Sequence, residues 1–175
     1  IMNDIDSEVF NLFQTVSNKK DELETLFLAT PKHQDLFNYW KLNQEDCQVR
    51  KAMRFLFISN YTFMGAGASL KLNSRNDVRQ LYEGLQKVNE RLFEVQFANT
   101  DFRQFLKSVS IEKTETEKTL IYCDPPYLDT DDNYSHSFKE QDAADLFDCL
   151  IETGCKFAYS EFDHPFILEQ AEKRG

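Results

Sequence analysis

The chain has 175 residues, hydrophobic residues make up 41% of it, and its formal net charge is −10. This length suits one domain with a small insertion, and the apolar content suffices for a packed core, which excludes wholesale disorder. The negative charge disfavours a protein that simply coats nucleic acid, because phosphates repel an acidic surface, but a DNA enzyme with a local basic face stays open. Basic residues concentrate between positions 41 and 91. They could form a DNA-binding face, or they could simply lie on the solvated faces of helices. They include Arg50, Lys51, Arg54, Lys71, Arg75 and Arg79.

Cysteine spacing and hydropathy limit the compartment and the cofactors. The four cysteines contain no CxxC pair, and the three histidines show no metal-ligand spacing with them. We therefore expect no disulfide framework and no metal site. No apolar run approaches the roughly 20 residues that cross a bilayer. These features predict a cytoplasmic protein without a membrane partner, and they leave its oligomeric state undefined.

Apolar residues recur with helical spacing through the first half of the chain. Helices are predicted near residues 6–17, 23–29, 36–40, 49–57 and 77–93. Asp6 or Ser7 is suited to cap the first helix, whereas the residues between Ser59 and Asn76 are predicted to form a loop. Ile1-Met2, before the first helix, is typical of the end of a buried strand.

The second half alternates between strands and helices. Strands are predicted near residues 95–99, 120–123 and 156–160, and helices near 102–109, 137–153 and 164–173. The run that ends at Cys123 is typical of a strand buried on both faces. Ser137 and Glu140 predict a capping box for the helix that follows, and Gly154 its end. This order predicts a parallel α/β sheet, in which ligands bind beyond the carboxyl ends of the strands.

A rigid turn is predicted directly after Cys123. Pro125 pushes Asp124 toward an extended backbone, and Pro125-Pro126 fixes the path of the loop while it removes two backbone donors. The turn therefore presents the carboxylate of Asp124, backbone carbonyl oxygens and the aromatic face of Tyr127.

Methylation of adenine needs this set of groups. The exocyclic amino nitrogen is a weak nucleophile, because its lone pair is delocalised into the ring. Two acceptors, Asp124 and the carbonyl of Pro125, can bind the two N–H groups and hold the nitrogen nearer a tetrahedral geometry. Tyr127 can stack on a base flipped out of the duplex. Because the methyl donor is already activated, positioning is the main contribution of the protein, and it supplies roughly 7–11 kcal/mol in favourable cases.

The sequence Asp124-Pro125-Pro126-Tyr127 resembles the catalytic loop of the Dam-type N6-adenine DNA methyltransferases. Further segments are similar to that family and follow its order along most of the chain. They are Asn3-Asp4-Ile5-Asp6, residues 54–60 with Phe63-Met64-Gly65, residues 97–102, and Tyr159-Ser160-Glu161-Phe162-Asp163.

The resemblance implies an α/β fold, a Rossmann-like S-adenosylmethionine-dependent methyltransferase sheet with a mostly helical target-recognition insertion. Residues 1–29 and 76–175 would form the catalytic domain, and residues 30–75 the insertion. In the family a glycine-rich loop precedes the acidic loop, so we expect a fragment that lacks this loop. The similar stretch from Phe63 to Gly67 follows a helical segment, and we assign it to the insertion.

The resemblance also implies ligands and their residues. Asp4 would bind the ribose of S-adenosyl-L-methionine, and Asp101, Phe102 and Asp124 would complete the cofactor site. The alternatives are that Asp4 or Asp6 only caps a helix, and that Asp101 is a helix cap in front of a core phenylalanine. The partner would be double-stranded DNA with a flipped adenine. Candidate DNA contacts are Asn60, Tyr61, Lys71 and Arg75.

These features predict a site-specific, adenine-specific DNA methyltransferase, for which restriction-modification, phage and housekeeping roles stay open. One alternative is methylation of another amino or amide group, cytosine N4 or glutamine, because such groups pose the same chemical problem. The other is a catalytically incomplete remnant that binds DNA or protein.

Overall fold

The computed structural model describes residues 1–65, 67–71, 77–130 and 138–174. The chain divides into two compact units, Ile1–Asn99 and Thr100–Gly175. The first contains strands β1 (Met2–Asn3) and β2 (Phe97–Ala98) and helices α1 (Ser7–Asn18), α2 (Lys20–Ala29), α3 (Gln34–Leu42), α4 (Gln48–Tyr61) and α5 (Asp77–Arg91). The second contains strands β3 (Leu120–Cys123) and β4 (Lys156–Tyr159) and helices α6 (Phe102–Ser108), α7 (Glu140–Glu152) and α8 (Pro165–Arg174). Short 3-10 helices lie at Phe63–Gly65 and Thr116–Lys118.

One hydrophobic core holds the first unit together. Helices α1 and α2 pack against α4, whose Ala52, Met53 and Phe57 side chains are buried. Helix α3 adds Trp40 to this core, and α5 adds Leu85. The core thus takes side chains from within residues 1–29, 30–75 and 76–99 alike, so the predicted insertion shares its core with the rest of the unit. The functional boundaries of that insertion stay a prediction.

A buried arginine joins three helices of this unit. Arg54 is 8% exposed, and its Nε donates to the carbonyls of Trp40 (2.9 Å) and Asn43 (3.0 Å) at the end of α3. Its Nη1 donates to Oε1 of Glu8 on α1 at 2.7 Å. Each polar contact of the cation is therefore with an acceptor, as burial of a charge requires. The sequence placed Arg54 among basic residues of a surface, which is wrong, because its guanidinium lies inside the unit.

The strands pair in parallel, as the sequence predicts. β1 pairs with β2 (Met2 opposite Phe97), and β3 pairs with β4 from Leu120 opposite Lys156 to Cys123 opposite Tyr159. Among the residues that the structure describes, each unit thus has one two-stranded parallel sheet. A single Rossmann-like sheet stays a prediction.

The core of the second unit lies on one face of its sheet. Phe147 of α7 stacks on Tyr159 with ring centroids 4.8 Å apart, and burial raises the pKa of the Cys123 thiol to about 11. Leu120 and Tyr122, on the opposite face, are each 66% exposed. The predicted burial of this strand on both faces is therefore wrong for this unit.

Helix α7 begins later than the sequence predicts. It starts at Glu140, where the carboxylate of Asp142 accepts the backbone N–H of Lys139 at 2.9 Å. The cap is therefore at Lys139 rather than at Ser137, which lies outside the described residues. The helix ends as predicted, because Gly154 takes a positive φ of 68°. Within the described ranges, none of the helices has the length and apolar character needed to cross a bilayer.

Candidate active site

The loop of residues 124–127 begins at the carboxyl end of β3. Asp124 is the first residue after the strand, and its side chain is exposed. Two consecutive prolines restrict the backbone that follows. Leu128, 6% exposed, then anchors the loop in the core beside Ala143, Phe147 and Ile167. The sequence therefore places a half-buried turn with one exposed carboxylate, that of Asp124, between a strand and a core residue.

Tyr127 connects this loop to β4. Its hydroxyl donates to Oδ1 of Asp124 at 3.1 Å and lies 2.7 Å from Oγ of Ser160. Its ring contacts the Phe162 ring edge to face, with centroids 4.8 Å apart at 82°. The phenol thus has a fixed hydroxyl position and a fixed ring orientation, and it orients the Asp124 carboxylate.

Residues 160–162, directly after β4, fasten the turn. The backbone N–H of Ser160 donates to the carbonyl of Cys123 at 2.8 Å. Glu161 accepts the backbone N–H groups of Leu128 (Oε2, 3.1 Å) and Phe162 (Oε1, 2.8 Å). The resemblance identified these residues only as part of the strand and loop that follow the catalytic strand, without a role for each. The signal for them is their place at the carboxyl end of the strand that neighbours β3.

The far end of the loop is also ordered by hydrogen bonds. The Thr130 hydroxyl donates to the carbonyl of Tyr127 at 2.7 Å, and Asp129 takes a positive φ of 55°. Nδ1 of His164 accepts the backbone N–H of Phe166 at 3.3 Å, and its Nε2 lies 3.1 Å from Oδ2 of Asp129. Nε2 of the imidazole therefore carries the proton and donates to Asp129.

Asp4 lies at the carboxyl end of β1, as predicted for a ribose-binding carboxylate. Its Oδ1 accepts the backbone N–H of Asp6 at 2.8 Å, and Asn99 donates to the carbonyls of Asp4 and Ile5 at 2.8 and 3.0 Å. Asp6 caps α1 by accepting the backbone N–H of Glu8 at 2.8 Å. Helix capping is therefore the role of Asp6, while Asp4 shapes the turn before it.

Asp101 caps helix α6 in the second unit. Its Oδ1 accepts the backbone N–H of Arg103 at 2.8 Å, and its Oδ2 pairs with Nη1 of Arg103 at 3.1 Å. Arg103 also binds Asp142 and Asp145 of α7, and its guanidinium lies 4.3 Å from the centroid of the Phe102 ring. The hydrogen bond to Asp142, followed by that to Asp145, raises the pKa of Arg103 above its ordinary value. The cap at Asp101 is thus confirmed, whereas Phe102 is half-buried and not part of the core. The sequence did not predict this arginine cluster.

The candidate DNA contacts differ in exposure. Asn60, in the last turn of α4, and Lys71 are exposed. Tyr61 is 3% exposed and packs edge to face on Phe57, with Nζ of Lys32 4.7 Å from its ring centroid. Because its ring lies in the core, we remove Tyr61 from the candidate DNA contacts. Arg75 lies outside the described residues.

The glycine-containing stretch after α4 forms a closed loop. Thr62 and Leu70 form an antiparallel bridge, and the Thr62 hydroxyl accepts the backbone N–H of Gly67 at 2.9 Å. The loop follows a helix, as the sequence predicts, and not a strand. Gly65 has a positive φ of 73°, and a Cβ there would lie 3.1 Å from the Ser59 carbonyl oxygen. Both observations favour glycine at this position for structural reasons.

Comparison with known proteins defines the family. Residues 1–174 match the family described as D12 class N6 adenine-specific DNA methyltransferase, and the chain belongs to this family. No curated protein sequence matches the chain. The function is therefore that of an enzyme that methylates N6 of adenine in DNA, which confirms the prediction made from the Asp-Pro-Pro-Tyr sequence.

Proposed function

We propose that the loop of residues 124–127 is the site of methyl transfer. The observation that carries the proposal is the hydrogen bond of 3.1 Å between the Tyr127 hydroxyl and the exposed Asp124 carboxylate. A carboxylate has about four lone-pair positions, so one bond to Tyr127 leaves acceptor capacity for a substrate N–H. The backbone carbonyl of Pro125 is the second acceptor, and Pro126 keeps the turn rigid.

The substrate is an adenine flipped out of double-stranded DNA. Tyr127 supplies the aromatic face on which the base stacks, and the perpendicular contact with Phe162 restrains the orientation of that ring. In the other unit, Asn60 and Lys71 are exposed, and they are the proposed contacts with the duplex. Lysine contacts to phosphates position the protein without reading the sequence.

The methyl donor is S-adenosyl-L-methionine, which supplies a methyl group on a sulfonium when bound. Asp4 fits its ribose, because the turn is pinned by Asn99 and one bond at Oδ1 leaves the carboxylate with acceptor capacity for hydroxyl groups. Asp101 already binds Arg103 through both oxygens, so its part is to hold Phe102 in position for the adenine ring of the donor. Asp124 is also a proposed contact of the donor, and its carboxylate would stabilise the positive charge that develops on the adenine amino nitrogen during transfer.

The test is the variant Asp124→Ala in the full-length enzyme. Methyl transfer to adenine-containing duplex DNA should be lost, while the thermal unfolding midpoint stays unchanged because the Asp124 side chain is exposed. Glu117→Ala, an exposed acidic residue of the same unit, is the matched control and should retain activity. Methylated nucleosides are quantified by mass spectrometry after digestion of the DNA. N6-methyladenine formed by the Asp124 variant at the wild-type rate would refute the role, and N4-methylcytosine as the product would identify a different substrate base.

A further inference from the structure

Ser160 contacts the loop of residues 124–127 at both of its ends. Its backbone N–H donates to the carbonyl of Cys123, directly before Asp124, at 2.8 Å. Its hydroxyl lies 2.7 Å from the Tyr127 hydroxyl at the other end of the loop. One residue at the end of β4 therefore fixes both where the loop starts and where its aromatic residue lies.

The proton count assigns a direction to the hydrogen bonds. An ionised carboxylate only accepts, so the bond of 3.1 Å to Asp124 uses the one proton of the Tyr127 hydroxyl. Ser160 must therefore donate to the oxygen of Tyr127. The order is Ser160 to Tyr127 to Asp124, and hydrogen bonds in such a chain polarise and strengthen one another.

We propose that Ser160 is a positioning residue for methyl transfer, which acts through the Tyr127 hydroxyl on the orientation of the Asp124 carboxylate. This inference rests on the proposed function of the loop. The carboxylate of an exposed aspartate rotates easily, and the bond to Tyr127 restricts that rotation. The Tyr127 hydroxyl would itself lose its alignment without the donor on Ser160. Small losses of alignment at a reacting group cost rate rather than substrate binding.

Glu161 and Phe162 also contact the loop, but neither contacts it in the way that Ser160 does. The Glu161 carboxylate clamps the backbone of Leu128 and Phe162, so the loop remains in place when the Ser160 hydroxyl is removed. Phe162 fixes the ring plane of Tyr127 but cannot hydrogen-bond its hydroxyl. Of these three residues, Ser160 is therefore the one whose side chain hydrogen-bonds the Tyr127 hydroxyl.

The experiment is a double-mutant cycle in the full-length enzyme with Ser160→Ala and Tyr127→Phe. Single-turnover methylation of duplex DNA is measured with enzyme in excess, together with DNA affinity and the unfolding midpoint. Each single variant should slow the rate by about tenfold, the effect of one lost hydrogen bond at a positioned group. The double variant should be no slower than Tyr127→Phe alone, because Ser160 acts only through that hydroxyl. DNA affinity should not change.

Ser108→Ala is the matched control, since the Ser108 hydroxyl bonds only the Phe105 carbonyl of its own helix among the described residues. A wild-type rate in Ser160→Ala would overturn the proposal. So would a loss that persists undiminished in the Tyr127→Phe background, because that result shows a purely structural role. If Ser160→Ala does not fold, the proposal is judged from the methylation rate of Tyr127→Phe alone. A wild-type rate in that variant would also overturn the proposal. Failure of the proposed function is recognised separately, as full adenine methylation by Asp124→Ala.

Discussion

Replacement of the buried Arg54 by methionine tests the packing of the first unit. Methionine keeps the apolar stem of the side chain but removes the donors to the Trp40 and Asn43 carbonyls and to Glu8. Breaking a fully buried ion pair costs about 3–5 kcal/mol. Here the Glu8 side chain is 41% exposed and regains water, so we expect the free energy of unfolding to fall by about 3 kcal/mol, at the lower end of that range.

The assay is urea denaturation of the full chain, followed by circular dichroism. Arg50→Met lies on the same helix with an exposed side chain, and its free energy of unfolding should change by less than about 0.5 kcal/mol. Glu8→Gln should be milder than Arg54→Met, because it leaves both carbonyl contacts of the guanidinium intact. Equal denaturation midpoints for Arg54→Met and Arg50→Met would refute the assignment of Arg54 as the link between the helices.

Two further predictions follow from shifted pKa values. The pKa of the Cys47 thiol is lowered, mainly by a hydrogen bond with the backbone of Arg50. Burial instead raises the pKa of the Cys123 thiol to about 11. Iodoacetamide at neutral pH should therefore label Cys47 before Cys123, as peptide mass mapping can check, and the reverse order would contradict these environments. Hydrogen bonds from Gln141, and then from Arg103, lower the pKa of Asp145 below its ordinary 3.8. This contribution to stability is fully present above the ordinary pKa of 3.8 and is lost as the pH falls through the lower pKa of the folded state. Asp145→Asn should therefore lower the urea midpoint at pH 6, and the difference from the wild type should shrink as the pH is taken below 3.8.

Local rules account for most of the elements. A helix cap such as Asp6, a helix end such as Gly154 and the spacing of apolar residues within one helix each depend on neighbours within about four residues. The sequence shows these neighbours directly. The turn of residues 124–127, the proposed site of methyl transfer, was predictable for a similar reason, because the two prolines restrict the backbone through covalent geometry alone.

Long-range burial could not be predicted in the same way. Tyr61 carries a polar hydroxyl near a glycine-containing loop, yet its ring packs on Phe57 one helical turn earlier and lies in the core. Arg54 likewise is buried because Glu8 and two helix-terminal carbonyls converge on it from distant positions in the chain. The exposed faces of Leu120 and Tyr122 depend on what covers the sheet, which periodicity does not reveal.

The contact of Ser160 with Tyr127 was hidden for another reason. Serine at a strand end is common, and only the register of β4 beside β3 brings its hydroxyl to the phenol. The sequence therefore predicts which loop matters but not which neighbour supports it.

The two hydrogen bonds that Glu161 accepts from backbone N–H groups bear on the redesign of position 162. Because Glu161 accepts the backbone N–H groups of Phe162 and Leu128, these two hydrogen bonds do not depend on which side chain stands at position 162. A smaller or differently shaped group in place of Phe162 would enlarge the space beside the Tyr127 ring. On the proposed stacking of the target base on Tyr127, position 162 is the place to begin engineering acceptance of bulkier, chemically modified purines.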